Sequence, residues 1–297
     1  MWSQLGGDID GEAYGDESGY SVSMSSDGTR IAIGAPYNED GAESSLLTKA
    51  GHVRVFGLSE GAGWTQLGGD IDGLSRENGP YNPGLPPAST QHNAGNAVSL
   101  NANGDRLAVA HYQARSNRGY NKAGLVRVYE FSGSAWVQLG NDIEGENSAD
   151  QLGWAISLSS DGSRLAIGAP GNLVGLVRVF EFRRDEWTDD GWVRPRCPSG
   201  SQHYNCYWEQ LGTNIDGEEL RLLADYITFA VFNVRLSQGA SFGSAVSLNP
   251  NGNLVAVGAH RNAGDSDGRF DGARMRPVPP ASPLAPPCQA PARRSPP

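Results

Sequence analysis

Residues 136–170 read "WVQLGNDIEGENSADQLGWAISLSSDGSRLAIGAP", and residues 2–36 read "WSQLGGDIDGEAYGDESGYSVSMSSDGTRIAIGAP". Four such copies open on Trp2, Trp64, Trp136 and Trp208, spaced 62, 72 and 72 residues apart. Each continues with Gln-Leu-Gly, an acidic Ile-containing segment and a small-residue strand. An Asp-Gly or Asn-Gly turn and an apolar strand follow. Periodicity on this scale signals repeated supersecondary units.

The strands inside each copy alternate with period two, the mark of half-buried antiparallel strands. Tyr20, Val22 and Met24 share one face, as do Trp154, Ile156 and Leu158, with serines on the other. The second strand offers Ile31 and Ile33, Leu107 and Val109, Leu165 and Ile167, and Val255 and Val257. The third is Val-Arg-Val at 53–55, 126–128 and 177–179, and the fourth is the Trp-x-Gln-Leu segment. Asp27-Gly28, Asn103-Gly104, Asp161-Gly162 and Asn251-Gly252 join the first two strands, and such pairs suit a two-residue type I′ turn. We therefore read all-β units of strands A to D: a β-propeller or partial propeller of about four four-stranded antiparallel blades. Repeats fill residues 1–275, starting near 2, 64, 136 and 208. The chain begins on a D strand and ends on A and B of a fourth unit, so self-association through that unfinished blade is expected. Residues 276–297 form a Pro-rich tail expected to be disordered. Segment 220–236 interrupts the fourth repeat and reads as an inserted helix, a strand pair or translated intron.

"FGSAVSL" (242–248) followed by "LVAVGAH", and "GYSVSMSSDGTRIAIGAP" (19–36), resemble the FG-GAP repeat of integrin α-chain propellers. Gly-Ala-Pro stands at 34–36 and 168–170 and is degraded to Ala110-His111-Tyr112 and Gly258-Ala259-His260. The resemblance covers roughly residues 2–275. It implies a propeller, usually of seven blades, used in adhesion or ligand binding at the cell surface or outside the cell. The family's calcium loops lie between strands A and B. Here that connection is a tight turn, so those ligands are not carried over.

The net charge of −10 argues against wrapping a nucleic-acid backbone. No run reaches the ~18 apolar residues of a membrane helix, and no signal peptide is visible. The D–A connections (8–18, 70–93, 142–151 and 214–240) hold 16 of the 33 Asp and Glu but only three basic residues, Arg76, Arg221 and Arg235. They should share one face with the B–C loops and give it a negative field. Two connections repeat a finer pattern. Asp8, Asp10, Glu12 and Asp16 occupy relative positions 1, 3, 5 and 9, as do Asp142, Glu144, Glu146 and Asp150. Calcium takes six to eight oxygens around a tight turn, so each quartet is a candidate Ca²⁺ site. The plainer reading is a solvated loop whose Asp and Gly do turn work. Leu74, Asn78 and Leu222 break the pattern elsewhere.

The recurring Trp residues read as inter-blade packing, whereas Trp187 and Trp192 belong to a long C–D insertion that also holds Cys197. Cys197 and Cys206 either form a loop disulfide or remain free. The five histidines are scattered, and no nucleophile elbow or phosphate loop appears. The reading is a non-enzymatic binding module recognising a protein or glycan through its acidic D–A/B–C face. The alternatives are a propeller-fold carbohydrate-active enzyme and a purely structural scaffold.

Overall fold

The computed structural model describes residues 2–39, 49–59, 61–73, 92–171, 175–184, 206–216, 228–231 and 241–260. The 276–297 tail, Trp187, Trp192, Cys197, Leu74, Asn78, Leu222 and most of segment 220–236 lie outside them. Blade 1 is β1 (Ser21–Met24), β2 (Arg30–Ala35), β3 (His52–Ser59) and β4 (Gly63–Gln66), with the two-residue β5 (Ile71–Asp72) also on β3. Blade 2 repeats this with β6 (Ala94–Leu100), β7 (Arg106–His111), β8 (Leu125–Phe131), β9 (Trp136–Gln138) and β10 (Ile143–Glu144). Blade 3 repeats it with β11 (Ala155–Leu158), β12 (Arg164–Ala169), β13 (Leu176–Arg184), β14 (Cys206–Gln210) and β15 (Ile215–Asp216). Cys206 is disulfide-bonded, to a partner outside the described residues. The architecture is an all-β partial propeller of antiparallel blades.

Blade 4 departs from the pattern. Its β17 (Ser241–Leu248) and β18 (Leu254–His260) are antiparallel, but β16 (Thr228–Val231) lies parallel to β18 on the side where a C strand belongs. Part of the inserted segment thus supplies a strand.

Two local details correct the sequence reading. Strand D is broken rather than followed directly by a loop. In blade 1, Gln66 pairs with Phe56, the chain turns through Gly68 (φ +77°), and Ile71 then pairs with Val53 lower on the same strand. Ile71, Ile143 and Ile215 are buried there, which explains the Ile inside each acidic stretch. The A–B connections are not type I′ turns. Gly28 N–H bonds Ser25 O (3.0 Å), and only Gly28, not Asp27, takes positive φ. The Asp27 carboxylate then accepts from Ser25 Oγ (2.6 Å) and Thr29 N (3.0 Å), which favours an ordinary φ for Asp27. Gly104, Gly162 and Gly252 close the other turns in the same way.

The core lies between blades. Ala32, Val53, Val55 and Ile71 of blade 1 pack on Val98, Leu100, Leu107 and Val109 of blade 2. Analogous clusters join blade 2 to 3 and 3 to 4. Tyr20, Val22 and Met24 do share a face, but it is open, with Val22 60% exposed, because no described blade precedes β1. The equivalent Ile156 and Leu158 are buried against blade 2.

Each seam carries the same directional contacts. Trp64 Nε1 donates to Leu5 O, Trp136 Nε1 to Leu67 O and Trp208 Nε1 to Leu139 O, at 2.8–2.9 Å. The serines of the innermost strands accept from the next blade: Leu100 N to Ser23 Oγ, Leu158 N to Ser99 Oγ and Leu248 N to Ser157 Oγ. The Gly of Gly-Ala-Pro serves backbone approach, since a Cβ on Gly34 or Gly168 would run into the carbonyl oxygen of Gly95 or Gly243 in the next blade.

Removing an indole N–H from a buried seam strands a carbonyl, which costs about 1–3 kcal/mol. Trp208 is 4% exposed and its bond is buried, whereas the Trp64 bond is exposed. Trp208→Phe should therefore lower urea-unfolding stability by about 2 kcal/mol, and Trp64→Phe by less than about 1 kcal/mol. Equal losses would contradict this ranking.

Candidate functional site

The D–A and B–C connections meet on one face. Gly145 N bonds Gly124 O (3.0 Å), Ala149 N bonds Asn121 O (2.8 Å) and Gly171 N bonds Asp150 O (3.2 Å), so the third D–A loop bridges the B–C loops of blades 2 and 3. The first loop does the same for blade 1 through Tyr37 N to Asp16 O (3.3 Å).

The structure gives each carboxylate of the repeated pattern its own role. Position 1 accepts from the Gln of Trp-x-Gln: Gln4 to Asp8 (2.8 Å), Gln66 to Asp70 (2.6 Å) and Gln138 to Asp142 (2.8 Å). Position 3 gives its main-chain carbonyl to the arginine of the next Val-Arg-Val: Arg54 Nη2 to Asp10 O (2.7 Å) and Arg178 Nη1 to Glu144 O (3.0 Å). Position 5 pairs with the same arginine, Glu12 with Arg54 at 3.4 Å and Glu146 with Arg178 at 3.1 Å. Position 9 turns inward. Asp16 is 5% exposed and accepts from Ala13 N (2.9 Å) and Asn38 Nδ2 (3.0 Å). Asp150 is 3% exposed and accepts from Glu146 N (3.1 Å) and Asn147 N (2.8 Å).

The structure thus does not draw either quartet to one point. Among the described residues, the one group of three His, Cys, Asp or Glu with ligand atoms mutually within 4.8 Å is Glu12, His52 and Asp70. Each quartet is dispersed because strand arginines and glutamines hold positions 1 and 5 while position 9 is buried as a loop anchor.

These arginines also temper the acidic face. Arg127 forms a bidentate pair with Asp142 (Nε–Oδ1 2.8 Å, Nη2–Oδ2 2.9 Å). Burial works to raise the Asp142 pKa, but the Arg127 bonds and charge outweigh it and hold the carboxyl below its ordinary value. Glu144 goes the other way. Burial raises it, offset only in part by the bonds it accepts from Asn117 N (3.1 and 3.2 Å). Counting charges within the loops missed Arg54, Arg127 and Arg178, because they stand in the C strands. Their one sequence signal is the Arg inside each Val-Arg-Val.

Exposed aromatics complete the face and were not read from sequence as part of it. Tyr14 in the first D–A loop is fully exposed, and Tyr120 in the blade 2 B–C loop is 37% exposed. Trp154, immediately before β11, is 39% exposed and meets Tyr112 edge-on (5.2 Å, 86°). Beneath this surface, His111 is fully buried with neither ring nitrogen hydrogen-bonded, and His92 Nδ1 is buried and also unbonded.

No protein-family model matches the chain, and no curated protein matches it. Among solved structures it is similar to Kuenenia stuttgartiensis hydrazine synthase, at 16% identity and a TM-score of 0.39 over 81% of this chain and 58% of that one. It is also similar to the complex of KlAtg21 with the coiled-coil of AgAtg16, at 11% identity and a TM-score of 0.35 over 66% of this chain and 57% of that one. The chain therefore spans less than three fifths of either. Among the described residues no helix is long and apolar enough to cross a membrane.

Asp150→Ala removes a buried acceptor of two backbone N–H groups and should cost about 2 kcal/mol. Asp8→Ala, on an exposed side chain, should stay within about 0.5 kcal/mol. Urea melts of both variants check the contrast, and similar losses would contradict the anchoring role.

The histidines generate a pH dependence. Burial, with the Arg127 charge adding to it, lowers His111 to about 3 and His92 to about 4. Both folded values lie below the unfolded value near 6.5, so the unfolded chain takes up protons first. Their contribution is full above about pH 6.5 and is lost as pH falls towards 4, on the order of 1 kcal/mol per pH unit for each. His111→Ala, matching Ala35 and Ala169 at that register, should flatten the slope between pH 7 and 5. A variant as pH-sensitive as wild type would contradict this.

Proposed function

We propose that the chain is a non-enzymatic binding module that takes a protein or glycan ligand on its D–A/B–C loop face. In this reading it is an FG-GAP-like propeller segment working in adhesion or ligand capture at the cell surface or outside the cell. The observation that carries the reading is the set of exposed aromatics, Tyr14, Tyr120 and Trp154, standing among carboxylates whose loops are pinned by Arg54, Arg127 and Arg178. Tyrosine and tryptophan supply rigid amphipathic contact area at small entropy cost, and they dominate recognition surfaces. A loop face held by one buried and two half-buried arginines is preorganised, so binding does not have to order it. The Gly-Ala-Pro and Phe-Gly positions lie at backbone contacts between blades, which supports the FG-GAP resemblance on structural grounds.

The test is an array of glycans and of cationic peptides probed with the whole chain, followed by titration of the best ligand. Trp154→Ala and Tyr14→Ala should each weaken binding by about tenfold or more. The Tyr14 variant should melt like wild type. Unchanged affinity in both variants would contradict recognition at this face.

A further inference from the structure

We infer that Glu12, His52 and Asp70 form a site for one divalent transition-metal ion of the Zn²⁺ type. Their ligand atoms already lie within 4.8 Å of one another. His52 is 1% exposed, and its Nδ1 is buried with no hydrogen-bond partner. That nitrogen faces Glu12 Oε2 at 3.7 Å, beyond hydrogen-bond length.

The repeats show that the fold does not need a histidine here. Register places His52 opposite Ala35 and Asp72 in blade 1. In blade 3 the same position is Leu176, opposite Ala169 and Asp216, and in blade 2 it is Leu125, opposite His111 and Glu144. Leu125 and Leu176 are buried there. Leucine fills the space without stranding a polar atom, whereas an unpartnered buried imidazole nitrogen is costly. The two carboxylates have ordinary counterparts: Glu12 matches Glu146, and Asp70 matches Asp142. Blade 3 has Asn214 at the position of Asp70 and Leu176 at that of His52, and blade 2 has Leu125 there, so among the described residues only blade 1 assembles the triad.

Each carboxylate has one oxygen engaged by a neighbour, Glu12 Oε1 by Arg54 (3.4 Å) and Asp70 Oδ1 by Gln66 (2.6 Å). Each keeps a second oxygen. A tetrahedral ion with bonds of about 2.1 Å holds its ligand atoms about 3.4 Å apart, so modest side-chain rotation closes the triad. Glu12 and Asp70 are exposed, leaving the fourth position to water or to a ligand atom. Glu12, Asp70 and Arg54 together carry a charge of −1, which favours a dication. One nitrogen and two carboxylates select zinc-like ions over calcium, which takes oxygen alone. The ion would tie the first acidic loop to β3 and to the break in strand D just before β5.

Zn²⁺ and Ca²⁺ are titrated separately into the chelator-treated chain by calorimetry. Wild type should bind one Zn²⁺ more tightly than any Ca²⁺. His52→Leu, which copies blades 2 and 3, should lower Zn²⁺ affinity at least tenfold while melting no lower than wild type. Asp70→Asn, which keeps an acceptor for Gln66, should weaken Zn²⁺ as well, and Glu146→Gln should leave it unchanged. Equal Zn²⁺ affinity in wild type, His52→Leu and Asp70→Asn, or a preference for Ca²⁺, would overturn the assignment.

Discussion

The indole N–H of Trp64, Trp136 and Trp208 reaches a leucine carbonyl one repeat earlier, and Ser23, Ser99 and Ser157 accept an amide from the next blade's innermost strand. These bonds fix how consecutive blades stack, and the rest of the structure depends on that stacking. Among the described residues, the three large clusters of buried side chains each mix residues from two neighbouring blades. A four-stranded sheet exposes two faces, and only the next blade can cover one of them. The outward face of β1 shows the consequence, since Val22 and Met24 remain in water where their counterparts Val98 and Leu100 in blade 2 and Ile156 and Leu158 in blade 3 are buried.

Stacking also builds the loop face. Arg54, Arg127 and Arg178 arise in the C strands, but they end among carboxylates of the D–A connections. The partners of Arg54 lie 42 and 44 residues away in sequence. The same geometry separates two kinds of acidic residue. Asp16 and Asp150 are structural acceptors sealed under the loop, whereas Glu12 and Asp70 stay accessible beside a histidine. The aromatic residues of the face then stand on a frame in which Arg54, Arg127 and Arg178 pair with Glu12, Asp142 and Glu146.

Much of the fold was legible in the sequence, because its information is local. Period-two alternation placed the strands, the Asp/Asn-Gly pairs placed the A–B hairpins, and recurring Trp gave the repeat. What stayed illegible depends on contacts across repeats. Nothing near Asp10 announces Arg54, and nothing in Gly-Asp-Ile-Asp says that Ile71 continues strand D after a kink at Gly68. The turn type was misassigned because Asp-Gly suits both a type I′ turn and a type I turn closed by a left-handed Gly. The difference rests on Ser25 and Thr29 bonding Asp27. For the candidate site, acidic spacing alone suggested two quartets, but burial and arginine pairing dispersed them. The one triad that does assemble needs His52, whose departure from Leu125 and Leu176 is visible only once the strands are in register.

Amide hydrogen exchange at Leu158 tests the seam most directly. Its N–H donates across the seam to the Ser99 hydroxyl of blade 2, at 3.0 Å. Stacked blades predict that this amide exchanges as slowly as the ladder amides of β7 and β12, and that Ser99→Ala accelerates it while sparing the ladder amides of β12. Fast exchange at Leu158 in the wild-type chain, at the rate of an exposed turn amide, would contradict blade stacking as the constraint that organises this protein.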